Sequence, residues 1–304
     1  MWLACASPRN ALLLPDSSRN RLLGIGIVSG AYFCFAVLDT SAKWLVQGLP
    51  VLEVVWLRFV THVIFMLVPM ARDGGFRLGG VRRPGLQAAR ALMLSTMTAM
   101  NFWALQYLQL AETGSVQFAV PILVALFAAW LLHERLDAGR WTAVIIGFAG
   151  VLVIMRPGTQ GFHPAILLAV CNAVLYALFN LLTRRLAETE APSTTNVLSA
   201  LGAVVLIAPF ALSVWVTPST ALQWALIALT GLAGGTGHLC LAHAHRYAPA
   251  STLAPFLYQQ ILYMTLLGFL VFGDVPGSAV LAGAGIVVAS GLYLLLRERH
   301  SGIG

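Results

Sequence analysis

The sequence predicts an all-α integral membrane protein with ten transmembrane helices, arranged as two inverted five-helix repeats. Three observations support this fold class. The chain of 304 residues is 59% hydrophobic and only 10% charged, with a mean hydropathy of +0.84, whereas a soluble domain contains about 25% charged residues. A long apolar hairpin occurs twice in the chain, and the basic residues are concentrated in alternate loops.

The repeated hairpin spans residues 111–155 and recurs at 251–295. The first copy has two apolar runs of about 20 residues, each long enough to cross a hydrocarbon core of about 30 Å as a helix. Charged or turn-forming elbows join the runs at 133–137 and at 273–276. Small residues follow each elbow, namely Gly147 and Gly150 in the first copy and Gly283 and Ser290 in the second. Repeats of this kind are common in secondary transporters.

The order of segments follows from hydropathy. Residues 1–21 are predicted to form a cytoplasmic leader, because prolines interrupt it and it lacks the pattern of a signal peptide. The first five-helix repeat is expected at 22–157 and the second at 158–297, followed by a cytoplasmic tail at 298–304. The ten helices are predicted at 22–46, 52–70, 88–109, 111–132, 139–155, 164–184, 195–213, 221–242, 249–272 and 278–296.

The distribution of Lys and Arg predicts the orientation. With the N-terminus in the cytoplasm, fifteen of the 18 basic residues fall on the inner side, Lys43 and Arg156 fall on the outer side, and Arg58 lies within helix 2. Cytoplasmic loops of membrane proteins carry an excess of Lys and Arg. Five helices per half leave the chain on the opposite side of the membrane, so the halves are expected to be inverted, with a binding site between them near the midplane.

Helices 1 and 2 carry the most informative polar residues. Asp39 and Arg58 lie at a similar depth, roughly 12 Å inside the membrane at 1.5 Å per residue. They are interpreted either as a structural ion pair or as groups that contact a charged substrate. Asp39 is also a candidate for proton uptake. Lys43 and Glu53 are predicted to form another pair nearer the outside. His62, one turn beyond Arg58, suits proton coupling because an imidazole titrates near neutral pH.

Further polar residues occur at helical spacing on other apolar helices. In lipid such side chains tend to face a cavity or a partner, although interhelical hydrogen bonds are an alternative for helix 6. Two adjacent amide side chains on helix 9 also cannot both face lipid without a large cost in free energy. The predicted substrate-binding residues are Asp39, Arg58, His62, Asn101, Gln117, Asn172, Tyr176, Asn180, Tyr258 and Gln260.

Other chemistries find little support in the sequence. No HExxH, P-loop or GxSxG motif is present, and the cysteines show no CxxC spacing. His238, His243 and His245 cluster near one helix end, but their spacing does not favour a metal site. The net charge of +7 is explained by membrane topology rather than by nucleic acid. We therefore expect no cofactor, metal or enzymatic activity; an intramembrane enzyme or a channel is the alternative from another class.

Several short motifs resemble the drug/metabolite transporter superfamily, of the bacterial EamA type. They are LHERL at 132–136, the Gly-Val pair at 150–151, STLAP at 251–255 and FGD at 272–274. The last has Asp274 where the family often has Glu. The resemblance covers roughly residues 22–297 and implies a ten-helix protein of the bacterial inner membrane.

The resemblance implies alternating-access transport of a small metabolite, often an amino acid or a derivative, and often outward. Some relatives carry opine-type metal chelators, and others carry riboflavin or S-adenosylmethionine. A cavity that holds both signs of charge, from Asp39 and Arg58, favours export of a zwitterionic, amino-acid-derived solute. Uptake of a cofactor-like solute is the alternative. The bilayer and the solute are the expected partners, proton coupling is an open question, and no feature predicts an oligomeric state.

Overall fold

The computed structural model of the protein describes residues 17–72, 81–131, 138–156, 162–187, 192–247 and 253–301, together with residues 159 and 189. The expected leader before residue 17, the elbow at 132–137 and the Ser-Thr pair at 251–252 lie outside these residues. The described part of the chain is helical. Its elements are α1 (Ser18–Leu45), α2 (Val51–Arg72), α3 (Pro84–Leu105), α4 (Leu110–Gln117), α5 (Val120–Leu131), α6 (Ala138–Met155), α7 (Ile166–Ala187), α8 (Pro192–Ser213), α9 (Ala221–Tyr247), a 3-10 helix (Ala254–Gln259), α10 (Gln260–Phe272) and α11 (Ser278–Ser301).

Two of the expected spans are interrupted near a proline. The predicted helix at 111–132 is divided into α4 and α5 at residues 118–119, just before Pro121, which has no backbone N–H to donate to the carbonyl of Gln117. The predicted helix at 249–272 begins as the 3-10 helix, with Pro255 in its first turn. One continuous helix was therefore the wrong expectation at both places.

Local sequence signals explain where several helices begin and end. The hydroxyl of Ser17 accepts a hydrogen bond of 3.2 Å from the backbone N–H of Asn20 at the start of α1, as an N-cap does. Glu112 accepts a bond of 2.9 Å from the backbone N–H of Gln109 at the start of α4. Gly273 ends α10 in the left-handed conformation, with φ of 70°, which glycine adopts without steric cost. This turn directs the chain at Asp274 back toward α1.

The outer surface of the bundle is apolar. Large side chains such as Phe148, Val205 and Leu270 are more than half exposed, as expected for a surface that faces lipid. By length and composition, four helical stretches of the described chain are able to cross a membrane on their own: Ser18–Leu45, Ile166–Thr183, Ser193–Ser213 and Ala221–Ala244. The count of ten spans stays a prediction.

The helices run between two ends of the bundle, which we name after the residues found there. At the Lys43 end, α1, α3, α6, α8 and α10 finish and α2, α4, α7, α9 and α11 begin. At the Arg90 end, α2 and α7 finish and α3 and α8 begin. Contacts across the Lys43 end include the ion pair of Lys43 with Asp274. Contacts across the Arg90 end include the hydrogen bond from Arg90 to Thr183.

Two apolar cores lie inside the bundle. The first core includes residues of α1, α2, α3, α8 and α9, with Phe59 and Phe102 among its fully buried side chains. The second core includes residues of α4, α5, α6, α7 and α11, and it contains Phe118. Tyr176 on α7 packs against both cores. Helix α7 is therefore shared between the two packing units.

The small residues noted in the two hairpins meet at one helix–helix interface. A methyl group on Gly150 of α6 would lie 3.0 Å from the carbonyl oxygen of Gly283 on α11. The hydroxyl of Ser290 on α11 donates a bond of 2.5 Å to the carbonyl oxygen of Ala143 on α6. Small residues allow such close approach between membrane helices.

We expect Gly283→Ala to destabilise the protein. Its new methyl group would lie 2.7 Å from the carbonyl oxygen of Gly150, and overpacking of this kind typically costs about 1–3 kcal/mol. Gly285→Ala on the same helix is the matched control, because nothing lies within 4 Å of its new methyl group. The apparent melting temperature in detergent should fall for Gly283→Ala alone. Equal melting temperatures for the two variants would contradict this account of the α6–α11 contact.

Candidate functional site

The closest approach between helices in the first core is made by glycines of α9. A methyl group on Gly231 would lie 2.6 Å from the backbone nitrogen of His62, and one on Gly234 would lie 2.9 Å from Nη2 of Arg58. Helix α9 therefore lies directly on the face of α2 that carries Arg58 and His62. A larger residue at Gly231 would meet the backbone of α2, whereas one at Gly234 would displace the side chains of Leu38 and Arg58.

Arg58 is an interior guanidinium with free donors. The residue is 2% exposed, and Nε and Nη1 find no hydrogen-bond acceptor in the part of the chain that the structure describes. The guanidinium carbon lies 4.1 Å from the centre of the Phe59 ring, a cation–π distance. Because buried polar groups are almost always hydrogen-bonded, these donors are available to an acceptor on a solute.

His62 and His238 form a stacked pair inside the bundle. Their rings lie 6.4 Å apart at an interplanar angle of 15°, with Phe35 on the other side of His238 at 5.0 Å. Neither ring nitrogen of His62 has a partner among the described residues. His238 was noted in the sequence only as part of a histidine cluster, and its pairing with His62 was not foreseen. His243 of that cluster is exposed on α9.

Asp39 is held by α3 rather than by α2. The amide nitrogen of Asn101 donates a hydrogen bond of 2.9 Å to Oδ1 of Asp39. Asp39 and Arg58 interact electrostatically, but these two residues form no ion pair within 4.0 Å. The expected direct Asp39–Arg58 bridge is therefore wrong, because Asn101 takes one carboxylate oxygen and Arg58 turns toward α9. We call Asp39, Arg58, His62, Asn101 and His238 the central polar cluster.

The second expected pair, between Lys43 and Glu53, is also wrong. Nζ of Lys43 lies 2.6 Å from Oδ2 of Asp274, so its partner comes from the turn after α10. Oε2 of Glu53 accepts a bond of 2.8 Å from the backbone N–H of Val216, in the segment after α8. Both residues thus connect the early helices to later parts of the chain, which spacing along α1 and α2 could not reveal.

A second buried arginine, Arg90 on α3, differs from Arg58 in having several partners. Its Nε donates a bond of 3.0 Å to the hydroxyl of Thr183 on α7. Its Nη1 donates to the carbonyl oxygen of Thr195 on α8 at 3.2 Å and to the hydroxyl of Ser199. Sequence reasoning counted Arg90 only as a cytoplasmic positive charge. Thr183 belongs to a polar stripe that is visible in the sequence of α7, but its pairing with Arg90 was not foreseen.

The C-terminal half of α7 lies beside this arginine and carries part of a polar stripe predicted from the sequence, which consists of Asn172, Tyr176, Asn180 and Thr183. The Phe179 ring is 4.3 Å from the guanidinium carbon of Arg90 and is stacked with Tyr176 at 6.2 Å. Asn180 donates a bond of 2.9 Å to the carbonyl oxygen of Tyr176 on its own helix. Tyr176 and Asn180 are thus near the first core, but the structure shows no direct bond between them and the central polar cluster.

The remaining candidates lie apart from the cluster. The Tyr258 ring packs edge-on against Phe118 at 5.2 Å, in the second core. Gln117 precedes Phe118 at the end of α4. The side-chain amide oxygens of Gln117 and Asn172 are buried and have no partner among the described residues. Gln260 is partly exposed at the start of α10. The structure therefore brings together only Asp39, Arg58, His62 and Asn101 from the predicted set.

The cluster has the chemistry of a binding site for a solute with both charges. An anchored carboxylate on α1 can receive an ammonium group, and the free donors of Arg58 on α2 can receive a carboxylate with charge-assisted hydrogen bonds. Intramembrane ionisable residues commonly mark a solute pathway. No group of three or more metal-ligating side chains occurs in the described parts of the chain.

Comparisons with known proteins identify the family of the chain. The EamA-like transporter family model matches the chain twice, at residues 22–156 and 163–297. The chain is 25% identical to the S-adenosylmethionine uptake transporter of Rickettsia prowazekii, over 88% of this chain and 90% of that protein. It is 27% identical to the riboflavin transporter of Vibrio cholerae, over 87% and 90%, and 24% identical to the pseudopaline exporter CntI of Pseudomonas aeruginosa, over 89% and 95%.

A solved crystal structure, described only as that of a protein, has a similar fold, with a TM-score of 0.63 and 21% identity over 94% of this chain and 99% of that chain. The protein is thus an integral membrane transporter for a small molecule. It belongs to the EamA-like transporter family, within the drug/metabolite transporter superfamily, and so confirms the resemblance seen in the sequence. We refer to residues 22–156 and 163–297 as the first and second family ranges.

The two buried arginines should differ in what they do for stability. We expect Arg90→Met to destabilise the protein, because it removes hydrogen bonds from a charged donor, each worth about 1.5–3 kcal/mol. Arg58→Met should leave the melting temperature in detergent unchanged or raise it, because an apolar residue replaces a buried charge that has few partners. A loss of stability in Arg58→Met as large as that in Arg90→Met would show that Arg58 is mainly structural.

Proposed function

We propose that the protein is a secondary transporter that moves a small, amino-acid-derived solute by alternating access, with the central polar cluster as its solute site. In this proposal ten spans form two inverted five-helix repeats in the bacterial inner membrane, with both termini in the cytoplasm. The single observation that carries the proposal is that an anchored carboxylate, Asp39, interacts electrostatically with an arginine, Arg58, whose Nε and Nη1 have no partner among the described residues. Transport rather than catalysis is the function that this geometry supports.

The arrangement of the cluster supports a zwitterion over a neutral solute. Asn101 fixes one oxygen of Asp39 and leaves the other for an ammonium group. Nε and Nη1 of Arg58 lie on different edges of the guanidinium, so each can donate one charge-assisted hydrogen bond to an anionic acceptor. An α-amino acid group carries both partners a few ångströms apart. A neutral solute would leave these two buried charges without new partners, which is costly.

S-adenosylmethionine is the first solute to test, because it carries an amino-acid group and because relatives that align with most of the chain are named for its uptake. Opine-type metallophores belong to the same amino-acid-derived class, and an exporter of pseudopaline is among the relatives. Riboflavin is the second candidate. The stacked pair of Tyr176 and Phe179 favours it as a surface for a flat ring.

Export is the physiological direction that we propose. The relatives include proteins named for uptake and for export, so the assay must measure both directions. Counterflow in proteoliposomes measures exchange without a net gradient. Comparison of right-side-out and inside-out vesicles then reports the direction. Dependence of the rate on an imposed pH gradient, with His62→Gln as the variant, tests whether transport is coupled to protons.

The transport assay should identify the two charges of the cluster as solute contacts. We expect Asp39→Asn and Arg58→Gln each to lower kcat/KM for counterflow of S-adenosylmethionine about 10- to 100-fold, since each removes a charge-assisted hydrogen bond worth about 1.5–3 kcal/mol. Arg185→Gln is the matched control, because this arginine is exposed at the end of α7. Normal transport by a folded Arg58→Gln variant would remove Arg58 from the site, and saturable counterflow of riboflavin alone would favour the second candidate.

A further inference from the structure

We propose that the Lys43–Asp274 ion pair, together with the cleft beside it, is a second solute site, which binds the amino-acid group of a zwitterion at the mouth of the transporter. This inference rests on the proposed function for its solute class. It adds a site that none of the sequence-predicted binding residues belongs to.

The site is a cleft with a volume of about 360 Å³ at the Lys43 end. That volume is enough for a small amino acid or for the head group of a larger solute. Its charged members are Lys43 and Asp274, with side-chain exposures of 11% and 22%. The other residues of the lining are Gln47, Gln106, Tyr107, Leu108, Gln109 and Phe272.

The ion pair connects the two family ranges. Lys43 lies near the end of α1 in the first range, and Asp274 follows α10 in the second. Gly273 brings Asp274 back toward α1 by its left-handed turn, and the Phe272 ring lies 4.7 Å from the Lys43 ammonium. Any motion that separates the ends of α1 and α10 must break this pair, so a solute that replaces its contacts makes the separation easier.

The chemistry of the cleft matches an amino-acid group. A solute carboxylate can take the place of Asp274 on Lys43, and a solute ammonium can take the place of Lys43 on Asp274. Because the pair is mostly buried, loss of one partner alone would be costly, and a zwitterion supplies replacements for both charges at once. Gln47 and Gln106 donate their side-chain amide N–H groups to the backbone carbonyl oxygens of Gln106 and Val46, at 3.3 and 3.0 Å. Among the described residues their side-chain oxygens have no donor, so they can accept from the ammonium.

A neighbouring ion pair provides an internal comparison. Arg156 lies 3.7 Å from Glu112 at the same end of the bundle. Both residues fall within the first family range, and neither lines the cleft. A variant of Arg156 therefore removes a charge from the same end of the molecule without touching the proposed site.

Protection of a thiol in the cleft tests the site without any need for transport. The full chain carries Tyr107→Cys, with its four native cysteines replaced by alanine, and is labelled with a maleimide in detergent. Methionine is the zwitterionic probe; N-acetylmethionine lacks the ammonium, and methioninamide lacks the carboxylate. We expect methionine to slow labelling at least threefold and each derivative to have less than half of that effect. Equal protection by all three compounds, or by none, would overturn the proposal.

Variants in the same background decide where protection arises. Lys43→Gln combined with Asp274→Asn should abolish protection by methionine, whereas Arg156→Gln should retain it. Arg58→Gln should also retain it, because the central polar cluster is a separate site. Loss of protection in Arg156→Gln or in Arg58→Gln would overturn the proposal, as would protection that persists in the double variant. Protection without counterflow would reject the proposed function and support the cleft site. Counterflow without protection would support the proposed function and reject the cleft site.

Discussion

The close approach of α9 to α1 and α2 is the constraint on which the interior of this protein depends. Gly231 and Gly234 place the backbone of α9 against α2, and Gly237 leaves room for the ring of Phe35 on α1. A methyl group on Gly231 would meet the backbone of α2, and methyl groups on Gly234 and Gly237 would meet side chains of α1 and α2. The glycines therefore help to decide how deeply Arg58 and His62 are enclosed. Burial makes the unpaired donors of Arg58 significant, because an exposed arginine would donate its hydrogen bonds to water.

The two buried arginines of the bundle, Arg90 and Arg58, differ in how their charges are paired. Arg90 has hydrogen bonds to two other helices, so its charge joins α3 to α7 and α8. Among the described residues, Arg58 contacts the face of an aromatic ring and is attracted electrostatically by Asp39, without a hydrogen bond to Nε or Nη1. In a low-dielectric interior the first arrangement stabilises a structure and the second favours binding of an anion. The contrast between the two arginines is the basis for placing the solute at Arg58.

Several contacts in the bundle join residues of the first family range to residues of the second. Helices α1 and α2 pack on α9, and α6 packs on α11 through small residues of both hairpins. Lys43 and Asp274 join the ranges at one end, and Arg90 joins them at the other through neutral partners. Alternating access requires such cross-range contacts to break and form in turn. An ion pair suits the end at which a zwitterion enters or leaves, because the solute can supply both of the charges that the pair gives up.

The sequence alone determined that this is a helical membrane protein of a transporter family, because lipid demands long apolar helices and the elbow motifs are local. It also placed Asp39, Arg58, His62 and Asn101 as a candidate site, since a polar side chain inside an apolar helix is conspicuous by itself. Only the tertiary structure decided the partners: Asn101 for Asp39 and Asp274 for Lys43, each far away along the chain. Helical spacing shows which face a residue shares, but the choice of partner depends on which elements pack together: α3 on α1 for Asp39, and the turn at Gly273 on α1 for Lys43.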